Sequence, residues 1–229
     1  MKICGLMRRE DVLLADRLGA DYLGVVLSAG FRRTVEPVEA RALVEDTSAA
    51  KVAVLVDESP DAAAALATGL GASVIQLHGD EGVEAVTELR RRGDWTLWKA
   101  VRVQDAMDID RVVDLFGDLV EGILVEGWRA GMVGGGGAEV AVEPSEVRSR
   151  IPRNLDFVLA GGLRPGSVGH AVALFRPDVV DVSSGIEGAR GVKDPELVRT
   201  FIESARMASR LLVDCNRGYV DTESGEAPQ

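Results

Sequence analysis

Small residues punctuate the last third of the chain at two places where an anion can be held. Phe157-Val-Leu-Ala160 runs into Gly161-Gly162-Leu163, and Val179-Val-Asp181-Val182 runs into Ser183-Ser184-Gly185. Each reads as a buried strand ending in a turn that leaves backbone N–H groups unpaired. Two such turns side by side form a cradle of donors suited to a phosphate monoester. Other residues with useful chemistry stand just beyond the apolar runs of the chain: Cys4, Arg33, His78 and Glu126, with Asp181 inside the last run. An ionised thiol is a base, a carboxyl group transfers protons, and a guanidinium fork matches a carboxylate. Proton transfer on a phosphorylated metabolite is the chemistry these types allow.

The elements needed to bring them together follow from the alternation of apolar runs and helical patterns. Strands are expected at 2–4, 22–27, 51–56, 73–77, 96–101, 122–125, 157–160 and 179–182. Helices are expected at 9–18, 37–46, 60–69, 82–91, 106–115, 144–150 and 167–175, with a last one from Asp194-Pro195 to about residue 209. A helix between every two strands implies parallel pairing, and the 229-residue length is near that of a closed eightfold barrel. The expected fold is therefore α/β, a single (β/α)8 TIM barrel over residues 1–210. An open doubly wound sheet would carry a Gly-x-Gly-x-x-Gly turn after its first strand, and this chain has none there. Residues 211–229 read as a polar tail without order. In a barrel all the residues named above fall at the C-terminal ends of strands, on one rim.

Composition narrows the partners. A formal charge of −11 argues against a nucleic-acid surface and against an anionic membrane. No apolar run approaches the roughly twenty residues of a membrane span, and Met1-Lys2-Ile3-Cys4-Gly5 has no signal-peptide layout. Cys4, Cys215, His78 and His170 have no metal-ligand spacing. A cytoplasmic, metal-free and cofactor-free protein is expected, a monomer or homodimer acting on a small phosphorylated molecule.

Lys2-Ile-Cys4-Gly5, Gln76-Leu-His78-Gly79, Leu159-Ala-Gly161-Gly162-Leu163 and Asp181-Val-Ser-Ser184-Gly185-Ile-Glu187, followed by Gly191-Val-Lys-Asp194, resemble the phosphoribosylanthranilate isomerases of tryptophan biosynthesis. The likeness covers roughly residues 1–205. It implies a cofactor-free Amadori rearrangement of N-(5-phosphoribosyl)anthranilate to 1-(2-carboxyphenylamino)-1-deoxyribulose 5-phosphate. By this resemblance Cys4 is the general base. The family carries Asp where this chain has Glu126, so the general acid would be a carboxyl set one methylene further out, about 1.5 Å. Arg33 stands at a family Ser-Pro-Arg motif whose arginine faces the anthranilate carboxylate; Phe31-Arg32 replaces Ser-Pro, so either arginine can take that role. His78 is expected to line the pocket. Asp181 is expected to meet the sugar hydroxyls or the enolamine nitrogen, with a buried structural carboxylate as the alternative. Gly161, Gly162, Ser183, Ser184 and Gly185 would hold the phosphate. Gly134-Gly-Gly-Gly137 stands where the family has a Gly-Gly-Thr/Ser-Gly loop over the substrate.

Two other functions compete. One is isomerisation of another phosphorylated aminoaldose, as in histidine biosynthesis, where paired aspartates replace the thiol and Cys4 does not fit. The other is a weakened paralogue that keeps only the phosphate grip, which Glu126 alone favours.

Overall fold

The structure is a computed structural model that describes residues 1–127, 140 and 142–223, with side chains described to residue 213. The glycine run at 134–137 lies outside the described residues. Eight strands form a closed parallel barrel: β1 (Lys2–Ile3), β2 (Tyr22–Val26), β3 (Ala50–Leu55), β4 (Val74–Leu77), β5 (Thr96–Val103), β6 (Gly122–Gly127), β7 (Asp156–Leu159) and β8 (Val179–Val182). Closure is made by β1, which pairs Lys2 with Asp181 of β8 on one side and with Tyr22 of β2 on the other. The intervening helices are α1 (Arg9–Arg17), α2 (Pro37–Val44), α3 (Pro60–Leu70), α4 (Val83–Arg90), α5 (Met107–Phe116), α6 (Pro144–Arg150) and α7 (Pro165–Phe175), and α8 (Pro195–Glu223) ends the series. No described helix is long and apolar enough to cross a membrane.

The hydrophobic core has two parts because successive side chains of a strand point to opposite faces. One set, including Ile3, Leu23, Val25, Ala53, Ile75, Ile123, Phe157 and Val180, faces outward and packs under the helices. The alternate set, Val52, Val54, Val74, Trp98, Leu124, Val158 and Val179, fills the barrel lumen, with Cys4 among them. Trp98 plugs the lumen against the edge of Tyr22, ring centroids 4.9 Å apart. It fits because Gly122 has no side chain there; a Cβ would stand 2.6 Å from the indole. The lumen positions continue along the same strands as Lys2 and Cys4, Gln76 and His78, Arg102, Glu126, and Asp181 and Ser183. The period of two that fills the base of the barrel therefore also aims the polar residues into its mouth.

Differences from the sequence reading lie at element ends. Strand β5 continues past residue 101 to Val103, and β6 passes residue 125 to Gly127, so Glu126 lies within a strand, in register with Arg102. A short antiparallel pair, β9 (Glu187–Ala189) with β10 (Val192–Lys193), follows the Ser184–Ile186 helical turn and was not expected. Helix α8 extends to Glu223, beyond the expected end near residue 209. Its residues 210–217 contain no helix breaker, and Gly218 alone opposes the helix by about 1 kcal/mol.

Candidate active site

Cys4 leaves β1 with its backbone fixed by an N–H bond to Val182 O, and Leu6 N bonds Gly24 O one step further on. The thiol is free and buried. Beside it on the strand is Lys2, fully buried, whose Nζ donates to Asp181 Oδ2 at 2.9 Å. Burial pushes the Cys4 thiol above its usual range; Lys2 and Lys193 oppose this, and Asp181 reinforces it.

Glu126, with 9% exposure, lies on β6, three strands around the barrel from β1. Its Oε1 accepts from Arg102 Nε at 3.2 Å and lies 3.3 Å from His78 Nε2. Burial raises the carboxyl's pKa, but the hydrogen bonds and charges of His78 and Arg102 outweigh it and hold the group below the ordinary carboxylate value. His78 is itself fixed: Gln76 Nε2 lies 2.7 Å from Nδ1, and Arg102 Nη2 bonds the His78 carbonyl at 2.8 Å. With the amide donating to Nδ1, the ring proton sits on Nε2, facing Glu126.

The two small-residue turns come together as the sequence implied. Gly161 and Gly162 both take left-handed backbone, φ 92° and 64°, which a side chain would resist. Among the described residues their N–H groups meet no acceptor. Gly185 touches the first turn so closely that a Cβ would stand 1.9 Å from Leu163 O. Ser183 and Ser184 open the helical turn on the β8 side.

Arg33 and Arg32 separate cleanly. Arg32 is exposed, whereas Arg33 turns inward over Gly5, whose missing Cβ leaves room for the arginine stem. Arg33 is not idle: Nε and Nη2 make a bidentate pair with Glu187 at 2.8 and 2.9 Å. Lys193, buried, bonds Glu187 at 3.2 Å and Ser183 O at 3.0 Å. Two of the five guanidinium donors are thus engaged, and the Nη1 edge is left. His170 is exposed on α7, away from this set.

All of Cys4, Arg33, His78, Glu126, Asp181 and the two turns belong to one rim. Sequence reasoning passed over Lys2, Arg102, Lys193 and Glu187. Lys2, Glu187 and Lys193 stood inside the quoted motifs without a role, and strand alternation was a further signal: Lys2 lies two before Cys4, and Arg102 two beyond Ala100.

Fold and rim define a (β/α)8-barrel enzyme whose C-terminal face combines a thiol, carboxylates and cations. A family model described as N-(5'phosphoribosyl)anthranilate (PRA) isomerase matches residues 1–204. The N-(5'-phosphoribosyl)anthranilate isomerase of Chromohalobacter salexigens is 36% identical over 207 residues, covering 88% of this chain and 92% of its own. The crystal structure of phosphoribosyl anthranilate isomerase from Thermotoga maritima superposes with a TM-score of 0.79 at 31% identity, covering 90% of this chain and 97% of that one. A further isomerase structure, in complex with reduced 1-(o-carboxyphenylamino)-1-deoxyribulose 5-phosphate, gives 0.75 at 30% identity, covering 90% and 97%. The chain belongs to the phosphoribosylanthranilate isomerase family, the aldose–ketose isomerases of tryptophan biosynthesis.

Proposed function

We propose that Cys4 and Glu126 perform the proton transfers of the Amadori rearrangement of N-(5-phosphoribosyl)anthranilate on this rim. The observation that carries the assignment is the placing of a thiol and a carboxyl on different walls of one lumen, beside the two glycine-bearing turns. The turns hold the phosphate by main-chain N–H groups. Glu126 delivers a proton to the furanose ring oxygen; the C1–O bond breaks as the nitrogen lone pair forms the C=N bond. Cys4 as thiolate then removes the C2 proton, giving the enolamine. Tautomerisation adds a proton at C1 as the C2 hydroxyl loses one, so the product is an isomer of the substrate.

Glu126 is ionised in the resting site, so its proton must be supplied as it is used. Solvent supplies it, and His78, with Nε2 against Oε1, orients the carboxyl. The Nη1 edge of Arg33 receives the anthranilate carboxylate, and Glu187 fixes the plane of the fork. Asp181, whose Oδ1 is buried without a partner among the described residues, takes a hydroxyl or the amine N–H of the substrate.

Turnover with substrate generated in situ tests the assignment. Cys4→Ala is expected to lower kcat by at least a thousandfold while binding of a reduced product analogue stays within about threefold. Wild-type-like turnover by this variant removes Cys4 from the reaction. Failure of the gene to restore growth without tryptophan in a cell lacking the isomerase removes the substrate assignment.

A further inference from the structure

The thiol proposed as base has a difficulty: burial disfavours its ionised form. A buried thiolate needs a cation held against it, and a charge on a flexible, hydrated side chain does not serve. Lys2 is built for that place. It lies two residues before Cys4 on the same strand, so both side chains point into the lumen. Its ammonium is fully buried, and its one carboxylate partner among the described residues is Asp181 at 2.9 Å. A buried lysine is rare unless paired, and here Asp181 supplies the pair. The backbone opposite is shaped to admit it: a Cβ on Gly24 would stand 2.9 Å from Cys4 Sγ and 3.0 Å from Lys2 Cε. The missing side chain is what lets sulfur and ammonium stem lie together over β2.

We propose that Lys2 is the positioning residue for the base: its one buried ammonium, divided between Asp181 and Cys4, holds Cys4 as the thiolate that removes the C2 proton. The inference rests on the reading of Cys4 as base and extends it to a residue with no contact to the reacting carbon. Ionisation releases the thiol proton to solvent while Lys2 keeps its own three, so the charge on sulfur is balanced in place. The remaining charges facing the thiol are Asp181 from β8, which opposes ionisation, Lys193 from β10, which favours it, and Arg33 from the loop after β2. Lys193 and Arg33 are both committed to Glu187. Of the cations around it, Lys2 acts most strongly on the thiol. Its own pKa is lowered by burial but raised overall by Asp181 and Cys4, so it stays protonated through the working range.

The test is the pH dependence of iodoacetamide reaction at Cys4, in the full chain carrying Cys215→Ser so that one thiol reports. Lys2→Met is expected to move the midpoint of the rate–pH curve up by at least one pH unit, slowing alkylation at pH 8 by about tenfold or more. Asp181→Asn removes the competitor for the ammonium and moves the midpoint down. Gly24→Ala keeps every charge but presses sulfur and stem apart, and gives an upward shift smaller than that of Lys2→Met. Thermal melting run alongside separates the alternatives: a purely structural lysine would lower the melting temperature without moving the midpoint, and that result overturns the proposal. If Lys2→Met does not fold, Asp181→Asn and Gly24→Ala decide, and an unchanged midpoint in both refutes it. Because the readout is alkylation, it stands even if Cys4→Ala proves active, an outcome that would defeat the base assignment alone.

Discussion

Two cationic or proton-bearing neighbours meet on a single oxygen of Glu126, Arg102 at 3.2 Å and His78 at 3.3 Å. That convergence bears on why glutamate stands where the family has aspartate. Arg102 is the register partner of Glu126 across the β5–β6 ladder, and the longer side chain reaches both partners from a backbone still inside the strand. Shortening it withdraws the carboxyl by about 1.5 Å, and misplacement by about 1 Å can reduce a rate on the order of a hundredfold. Glu126→Asp is therefore expected to lower kcat by between about tenfold and a hundredfold, measured in steady state with KM determined separately. A gain in kcat would mean that the site is set for aspartate and that Arg102 and His78 do not position the longer group. The sequence showed the substitution but not its compensation, because Arg102 followed a strand expected to end at residue 101 and so looked like a loop charge.

At the scale of elements, His78 depends on a clamp between β4, β5 and the turn after β4. Lys99, buried on β5, donates to Gly79 O and to Glu81 Oε2, both at 2.7 Å. Glu81 Oε1 accepts from Gly79 N at 2.9 Å and from Asp57 N at 3.1 Å. One carboxylate thus joins the ends of β3, β4 and β5 and fixes the carbonyl side of His78. Breaking a buried pair by removing one partner costs about 3–5 kcal/mol, since the survivor is left unpaired. Glu81→Leu is expected to lose that much stability in urea titration, more than an exposed-surface change would. Burial raises the pKa of Glu81, but Lys99 and the backbone donors pull it below the ordinary carboxylate value. Its stabilisation is therefore full above the unfolded-state pKa near 4.3 and is lost as pH falls through the lower folded value. The difference between parent and Glu81→Leu should shrink in that acid window and not above it. Elements of this kind were only partly legible. Asp194-Pro195 announced the start of α8, and Asp194 Oδ1 does accept from Glu196 N and Leu197 N. The β9–β10 pair escaped notice because Glu187-Gly-Ala189 has no apolar alternation.

Across the whole molecule, what made the barrel readable was the repeated strand-then-helix period. What that period does not reveal is the charged wall of the barrel's mouth. Lys2 and Lys193 are the two most deeply buried lysines, 0% and 2% exposed, and each pairs with a carboxylate from the β8 end of the fold, Asp181 or Glu187. Closure brings Lys2 to Asp181, because β1 meets β8 only in the finished barrel, whereas Lys193 meets Glu187 across the β9–β10 pair. Helix α8 covers that seam: Val198, Phe201, Ile202 and Ala205 are buried in the outer core, and Arg206 Nη2 reaches Gly19 O beyond α1 at 2.7 Å. Ala208 and Leu212 are the last described residues that pack on this core. The folded unit is accordingly expected to be complete by residue 213. A chain ended there should keep its turnover and stay within about 0.5 kcal/mol of the parent, a shift of under about 2 °C in melting temperature. A chain ended after Val198 loses Phe201 and Ile202, each contributing about 1.5–3 kcal/mol by burial, against a total stability of about 5–15 kcal/mol. It also uncovers the β1–β8 seam, so cooperative melting should be lost along with the near-ultraviolet signal of the packed Trp98. If the longer truncation still melts cooperatively, the seam is closed by the strands alone; if the shorter one loses several degrees, residues 214–223 pack on the barrel.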